Sequence, residues 1–94
     1  MLIRSQNKMS LVKFENIVIN INNISGKEII CWSQMNPGED EYISLGYYST
    51  KAKAMKVLDM IQDAYCKFMS VKNDDAWGGK ESVFYMPADN EVEA

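Results

Sequence analysis

Two groups of residues in this chain combine a phosphate-binding side chain or backbone with an aromatic ring. Arg4 is the sole arginine, and its guanidinium carries five N–H donors in a planar fork that suits phosphate or carboxylate. In the second group, Gly78 and Gly79 are able to expose consecutive backbone N–H groups to an anion, Lys80 adds a positive charge and Trp77 offers a face for a base. We therefore predict a ligand site built from both groups.

Tyr85 completes the predicted site, because it lies in the last predicted strand and provides a second ring for stacking. Each group also has a simpler interpretation. Arg4 is then a surface charge at a strand end, and residues 77–80 are an ordinary loop, since their spacing matches no defined phosphate-binding signature.

Catalysis is not expected from these residues. The chain has no histidine, which removes Ser-His and Cys-His dyads, histidine metal ligands and the usual general base. Two cysteines, Cys31 and Cys66, are too few for a thiolate zinc site, and we predict that both are free thiols. The sequence thus predicts a binding protein that is not an enzyme and that uses no metal and no cofactor.

Composition predicts a single domain over residues 1–87, with a C-terminal tail over residues 88–94 that is frayed. The chain has 94 residues, of which 47% are hydrophobic, so it is able to bury a core. A domain of this size is only marginally stable as a monomer, and we therefore expect it to form a homo-oligomer. A net charge of −3 argues against binding of duplex nucleic acid. Neither a membrane span nor a secretory signal is predicted, which favours the cytoplasm of a host cell.

The first half of the chain reads as strands. In residues 16–22, isoleucine occupies every second position (Ile17, Ile19 and Ile21), and asparagine stands at three of the four positions between and beside them, which predicts a strand with one apolar face. Shorter apolar runs predict further strands at residues 1–5, 10–14, 28–34 and 41–48. The last strand is predicted at residues 82–86, directly before Pro87.

A helix is predicted from Ser49 or Thr50 to about Met69. Apolar residues recur there at steps of three and four, with Leu58 and Ile61 at the centre of the stripe. The order of elements predicts an α+β fold, an antiparallel meander with one long amphipathic helix packed on one face.

Four segments of the chain resemble a known family. Residues 3–6 (IRSQ), 45–51 (LGYYSTK), 54–61 (AMKVLDMI) and 83–87 (VFYMP) together are similar to the first-described family of Thoeris anti-defence proteins of phages. The resemblance implies an oligomeric sponge that binds cyclic ADP-ribose-type signals made by TIR enzymes, or cyclic oligonucleotides. This chain departs from the arginine-rich pockets of such sponges, because it has Arg4 alone.

Two functions follow as expectations. In the first, the protein sequesters a cyclic ADP-ribose-type or cyclic oligonucleotide immune signal without cleaving it, in the host cytoplasm. In the second, it is a phage inhibitor of a bacterial defence protein, similar in action to an anti-CRISPR protein, that works by protein–protein contact. The 13 acidic residues favour the second function, but they are scattered along the chain, so we prefer the first.

Overall fold

The computed structural model of the chain describes residues 1–33, 42–71 and 83–93. Within these residues the chain forms six strands and one α-helix. The strands are β1 (Leu2–Arg4), β2 (Leu11–Lys13), β3 (Ile17–Ile21), β4 (Glu28–Ser33), β5 (Ile43–Tyr47) and β6 (Val83–Tyr85), and the helix α1 is Lys51–Val71. The fold is therefore α+β, as the sequence predicts, and each of these elements lies within a few residues of its predicted position.

The strands divide into two three-stranded sheets, where the sequence predicted a single meander. In sheet 1 the order is β2-β1-β6, and β1 runs antiparallel to β2 but parallel to β6. In sheet 2 the order is β3-β4-β5, with both pairs antiparallel. A parallel neighbour requires a long crossover connection, so β6 reaches β1 only after the chain has passed through sheet 2 and α1.

Helix α1 covers the sheets with the stripe that the sequence predicts. Thr50 caps its N-terminus, because Oγ1 accepts a 3.1 Å hydrogen bond from the backbone N–H of Lys53. Ala54, Val57 and Ile61 are buried in the core, whereas Leu58 is only partly buried and lies at the edge of the stripe. Among the described residues, no helix has the length and apolar character needed to cross a membrane.

The core lies between α1 and the inner faces of the two sheets. Its most deeply buried members come from every layer and include Ile3 of β1, Ile29 and Cys31 of β4, and Leu45 of β5. Tyr48, which follows β5, is also fully buried. Side chains alternate between the faces of a strand, so burial of Ile3 places Leu2 and Arg4 on the opposite, outer face of sheet 1.

The segment after Pro87 is packed on the domain, which differs from the expected frayed tail. Asp89–Glu91 form a 3₁₀ turn, and Val92 is buried. The Asp89 carboxylate accepts a 2.7 Å hydrogen bond from the Ser49 backbone N–H, and the Tyr48 hydroxyl donates a 2.8 Å hydrogen bond to the Pro87 carbonyl. The acidic composition of this segment suggested solvation, but its one valine and its aspartate dock it beside the start of α1.

Candidate functional site

The outer face of sheet 1 is the surface on which the structure brings together two residues of the predicted site. In the register of the sheet, Arg4 on the central strand pairs with Leu11 on one side and with Tyr85 on the other. Residues that pair in register project from the same face, so these three side chains form one row across the sheet. The next row on the same face of the sheet contains Lys13, Leu2 and Val83.

Arg4 is held by the turn that follows its own strand. Its Nε donates a 2.9 Å hydrogen bond to the carbonyl oxygen of Lys8, a residue with a positive φ of 67°. Within residues 1–33, 42–71 and 83–93, no hydrogen bond or ion pair occupies the two terminal nitrogens of the guanidinium. As far as the described residues go, Arg4 is therefore held at Nε, and its two terminal nitrogens keep their N–H groups for a ligand.

Tyr85 is the aromatic neighbour of Arg4. Its side chain is 65% exposed, although the preceding Phe84 packs against the core from the other face of β6. Adjacent strands lie about 4.8 Å apart, so the two side chains start from neighbouring positions on one face, and the Arg4 Nε lies against the Lys8 carbonyl in the β1–β2 turn. A ring in this position offers a stacking surface beside a phosphate-binding group.

The two rows on the outer face of sheet 1 carry positive charge in a chain whose net charge is negative. Among the described residues they contain the cations Arg4 and Lys13 and no carboxylate, and Lys8 adds a third cation in the adjoining turn. The Glu15 carboxylate, which is paired with the N-terminal amino group, lies near enough to interact with Lys13. The overall charge of −3 repels anions at long range, but screening limits that repulsion to about 10 Å at ordinary salt. An anion beside Arg4 consequently meets a cationic side chain at short range, where the net charge matters less.

The rest of the predicted site lies outside the described residues: Trp77, Gly78, Gly79 and Lys80. Sequence reasoning missed Leu11 and Lys13, which share the face with Arg4. The signal that points to them is the alternation over residues 11–13, in which Val12 turns inward and its two neighbours turn outward. It predicts a shared face only once the pairing of β2 with β1 is known.

An apolar groove of about 300 Å³, which shares no lining residue with the two rows of sheet 1, opens between β3 and α1. Its lining includes Phe14, Ile19 and Tyr65, and the rings of Phe14 and Tyr65 stack with centroids 4.3 Å apart. Cys66 lies at its rim. The groove contains no cationic side chain, so it does not suit a phosphate-bearing ligand.

The two cysteines differ in their exposure to solvent. Both are free thiols; Cys31 is buried in β4 and Cys66 is exposed on α1. Burial raises the pKa of the Cys31 thiol to about 11, so it is protonated at neutral pH. Among the described residues, no three His, Cys, Asp or Glu side chains come together as metal ligands would.

Comparison with known proteins returned no match of this chain to a family model, to a curated protein or to a solved structure. The resemblance to Thoeris anti-defence proteins thus rests on the four sequence segments alone. The pairing of Arg4 with Tyr85 in sheet 1 does not depend on that resemblance.

Proposed function

We propose that this protein binds and sequesters a cyclic ADP-ribose-type or cyclic oligonucleotide signal, without cleaving it, on the outer face of sheet 1. The observation that carries the proposal is the register pair of Arg4 and Tyr85, which places the arginine and an exposed tyrosine on the same face of neighbouring strands. A nucleotide contains a phosphate, which the guanidinium would bind, and a base, which would stack on the tyrosine ring.

The chemistry of the face suits binding better than turnover. Arg4 donates two N–H groups to non-bridging phosphate oxygens, and Tyr85 stacks on the base. Within the described part of the chain, the two rows contain no carboxylate, imidazole or thiol that would act as a general base or nucleophile. Bound ligand is expected to leave the face chemically unchanged.

The resemblance adds a biological setting to this proposal. Residues 3–6, which contain Arg4, and residues 83–87, which contain Tyr85, are two of the four segments similar to phage Thoeris anti-defence proteins. A sponge of that kind acts in the cytoplasm of the infected host and lowers the concentration of a signal made by TIR enzymes.

Self-association belongs to the same proposal. Val18, Ile43 and Tyr47 are between 37% and 55% exposed, and they lie on strands of sheet 2, away from the row of Arg4 and Tyr85. Burial of such side chains between protomers stabilises a small domain. Light scattering at micromolar concentration is expected to give a particle larger than the 10.7 kDa chain; a 10.7 kDa particle contradicts the oligomer.

The test of the proposal is calorimetric titration of the wild-type protein with a cyclic ADP-ribose isomer and with a cyclic trinucleotide. Charged hydrogen bonds contribute about 1.5–3 kcal/mol each, so Arg4→Ala is expected to weaken binding at least about tenfold. Arg4→Lys restores only part of the affinity, because the planar fork is lost. Lys67→Ala, which removes a cation from the exposed side of α1, is the control.

Each result has a defined meaning. If the wild type binds neither probe, the sponge function is wrong and inhibition of a defence protein by contact takes its place. If Arg4→Ala binds as tightly as the wild type, the ligand is bound elsewhere on the protein. Chromatography of the recovered ligand checks the absence of cleavage, and any product contradicts sequestration.

A further inference from the structure

The turn that connects β1 to β2 is held by a compact set of hydrogen bonds. Ser5, which is buried, donates its hydroxyl to Asn7 Oδ1 at 2.6 Å and accepts the Ser10 backbone N–H at 3.0 Å. Asn7 Oδ1 also accepts the Met9 backbone N–H at 2.9 Å. One side-chain oxygen of Asn7 thus joins both sides of the turn.

Lys8 lies between the residues that Asn7 joins. Its backbone N–H donates to the Ser5 carbonyl at 2.9 Å. Its φ of 67° lies in the left-handed region, which residues other than glycine rarely adopt. That conformation aims the Lys8 carbonyl at Arg4 Nε, 2.9 Å away. The bonds of Asn7 to Ser5 and Met9 maintain a turn that is unfavourable for Lys8 by itself.

We infer that Asn7 is a positioning residue for the ligand site, because it holds the Lys8 carbonyl where that carbonyl orients the Arg4 guanidinium. With Nε occupied, the side edge of the guanidinium is blocked, and a phosphate is bound end-on by the two terminal nitrogens. A free arginine has many rotamers, and a ligand that orders it loses affinity. Because the turn already orders the Arg4 side chain in the free protein, ligand binding loses less conformational entropy.

This inference rests on the proposed function for its ligand, but the orientation of Arg4 is measurable without one. Arg4 is the sole arginine, so a single arginine Nε–H signal is expected in the ¹⁵N NMR spectrum. A hydrogen bond from Nε to the Lys8 carbonyl slows exchange of that proton with water. We expect slow exchange in the wild type and at least severalfold faster exchange in Asn7→Ala.

Three variants separate the role of Asn7 from a general loss of structure. Asn7→Asp keeps the acceptor oxygen, so slow exchange is expected to return. Lys8→Gly keeps the carbonyl and favours the positive φ, so slow exchange is expected to persist. Asn22→Ala is the control, because Asn22 Oδ1 accepts the Ile24 backbone N–H at 2.9 Å in the β3–β4 turn, far along the chain from Arg4. Asn22 Nδ2 also donates to Glu28 Oε1 at 3.0 Å, so this variant loses two side-chain hydrogen bonds, as Asn7→Ala does.

Binding of the cyclic ADP-ribose isomer or of the cyclic trinucleotide provides the second measurement. Asn7→Ala is expected to weaken binding about twofold to tenfold, the cost of ordering one long side chain, which is less than the loss in Arg4→Ala. Asn22→Ala is expected to bind like the wild type at a matched melting temperature.

The two failures are distinguishable. If the wild-type Nε proton exchanges as fast as in a short peptide, or if Asn7→Ala does not change it, the positioning role is wrong whatever the protein binds. If exchange responds as expected but Asn7→Ala binds either probe as tightly as the wild type, orientation of Arg4 does not serve binding. If the wild type binds neither probe, the proposed function fails while the exchange measurements still decide what orients Arg4.

Discussion

The side-chain amide of Gln6 pairs with the backbone of Tyr47 as a neighbouring strand would. Gln6 Oε1 accepts the Tyr47 N–H at 3.0 Å, and Nε2 donates to the Tyr47 carbonyl at 3.2 Å. The same Nε2 lies 3.2 Å from the Pro87 carbonyl, and the Gln6 backbone N–H donates to the Leu45 carbonyl at 2.7 Å. One residue therefore links the end of β1 to β5 and to the segment that follows β6.

Loss of this link is expected to loosen the junction of the two sheets. Gln6→Ala removes three side-chain hydrogen bonds, and we expect a loss of about 1–3 kcal/mol in the free energy of unfolding, measured by urea denaturation. Gln6→Glu keeps an acceptor for the Tyr47 N–H but sets a charge against two carbonyls, so it is expected to be no more stable than Gln6→Ala. Gln62→Ala, on the exposed side of α1, is the control, and equal stability of all three variants contradicts the role of Gln6.

Stacking by Tyr85 predicts a difference between two substitutions at one position. Tyr85→Ala removes the ring, and we expect a loss of about 1–3 kcal/mol in binding of the cyclic ADP-ribose isomer or the cyclic trinucleotide. Tyr85→Phe keeps the ring and is expected to bind nearly as the wild type does. Tyr42→Ala removes a similarly exposed tyrosine next to β5 and serves as the control. Equal affinity of Tyr85→Ala and the wild type by calorimetry would exclude stacking on this ring.

Asp89 predicts how stability changes in acid. The hydrogen bond from the Ser49 N–H, together with Lys53 Nζ at 3.4 Å, holds the pKa of Asp89 below its usual value. The carboxylate therefore stabilises the fold at pH values above the unfolded-state pKa of about 4, and this contribution is lost as the pH falls through the lower folded-state pKa. Asp89→Asn is expected to have a lower melting temperature at neutral pH and a smaller decrease below about pH 4.

The comparison of Asp89→Asn with the wild type isolates this one carboxylate. Burial of Glu15 by itself raises the pKa of its carboxyl group. The hydrogen bond from the Met1 amino group, together with a backbone hydrogen bond and the charges of Met1 and Lys13, outweighs burial, so the pKa of Glu15 is lowered. Glu15 therefore also titrates in acid, but it does so equally in both proteins. Parallel curves of melting temperature against pH would mean that Asp89 contributes nothing to acid sensitivity.

The helix predicts unequal costs for two neighbouring apolar residues. Ile61 is 1% exposed, and Ile61→Ala is expected to cost about 2–5 kcal/mol, which is most of the stability of a small domain. Leu58 is partly buried and lines the apolar groove, so Leu58→Ala leaves less of a closed cavity and costs less. Urea denaturation of both variants checks the order, and a larger cost for Leu58→Ala would mean that the buried side of α1 has been assigned incorrectly.

Local patterns in the sequence were enough to predict the elements themselves. The alternation over residues 16–22 predicts β3, and the three- and four-residue steps after Thr50 predict α1 and its cap, because each pattern depends on side chains only a few residues apart. Arg4 was likewise recognisable from its type, since it is the sole arginine. These features need no knowledge of which strand lies beside which.

Only the tertiary structure decided what surrounds Arg4. Tyr85 is about eighty residues away along the chain and becomes its neighbour through the parallel pairing of β1 with β6, which no local periodicity specifies. The same holds for the bond from Gln6 to Tyr47 and for the docking of Asp89 at Ser49, because each joins groups that are remote in sequence. Short strands of three residues carry too little pattern to select their partners, so their pairing is set by the core that α1 and both sheets form together.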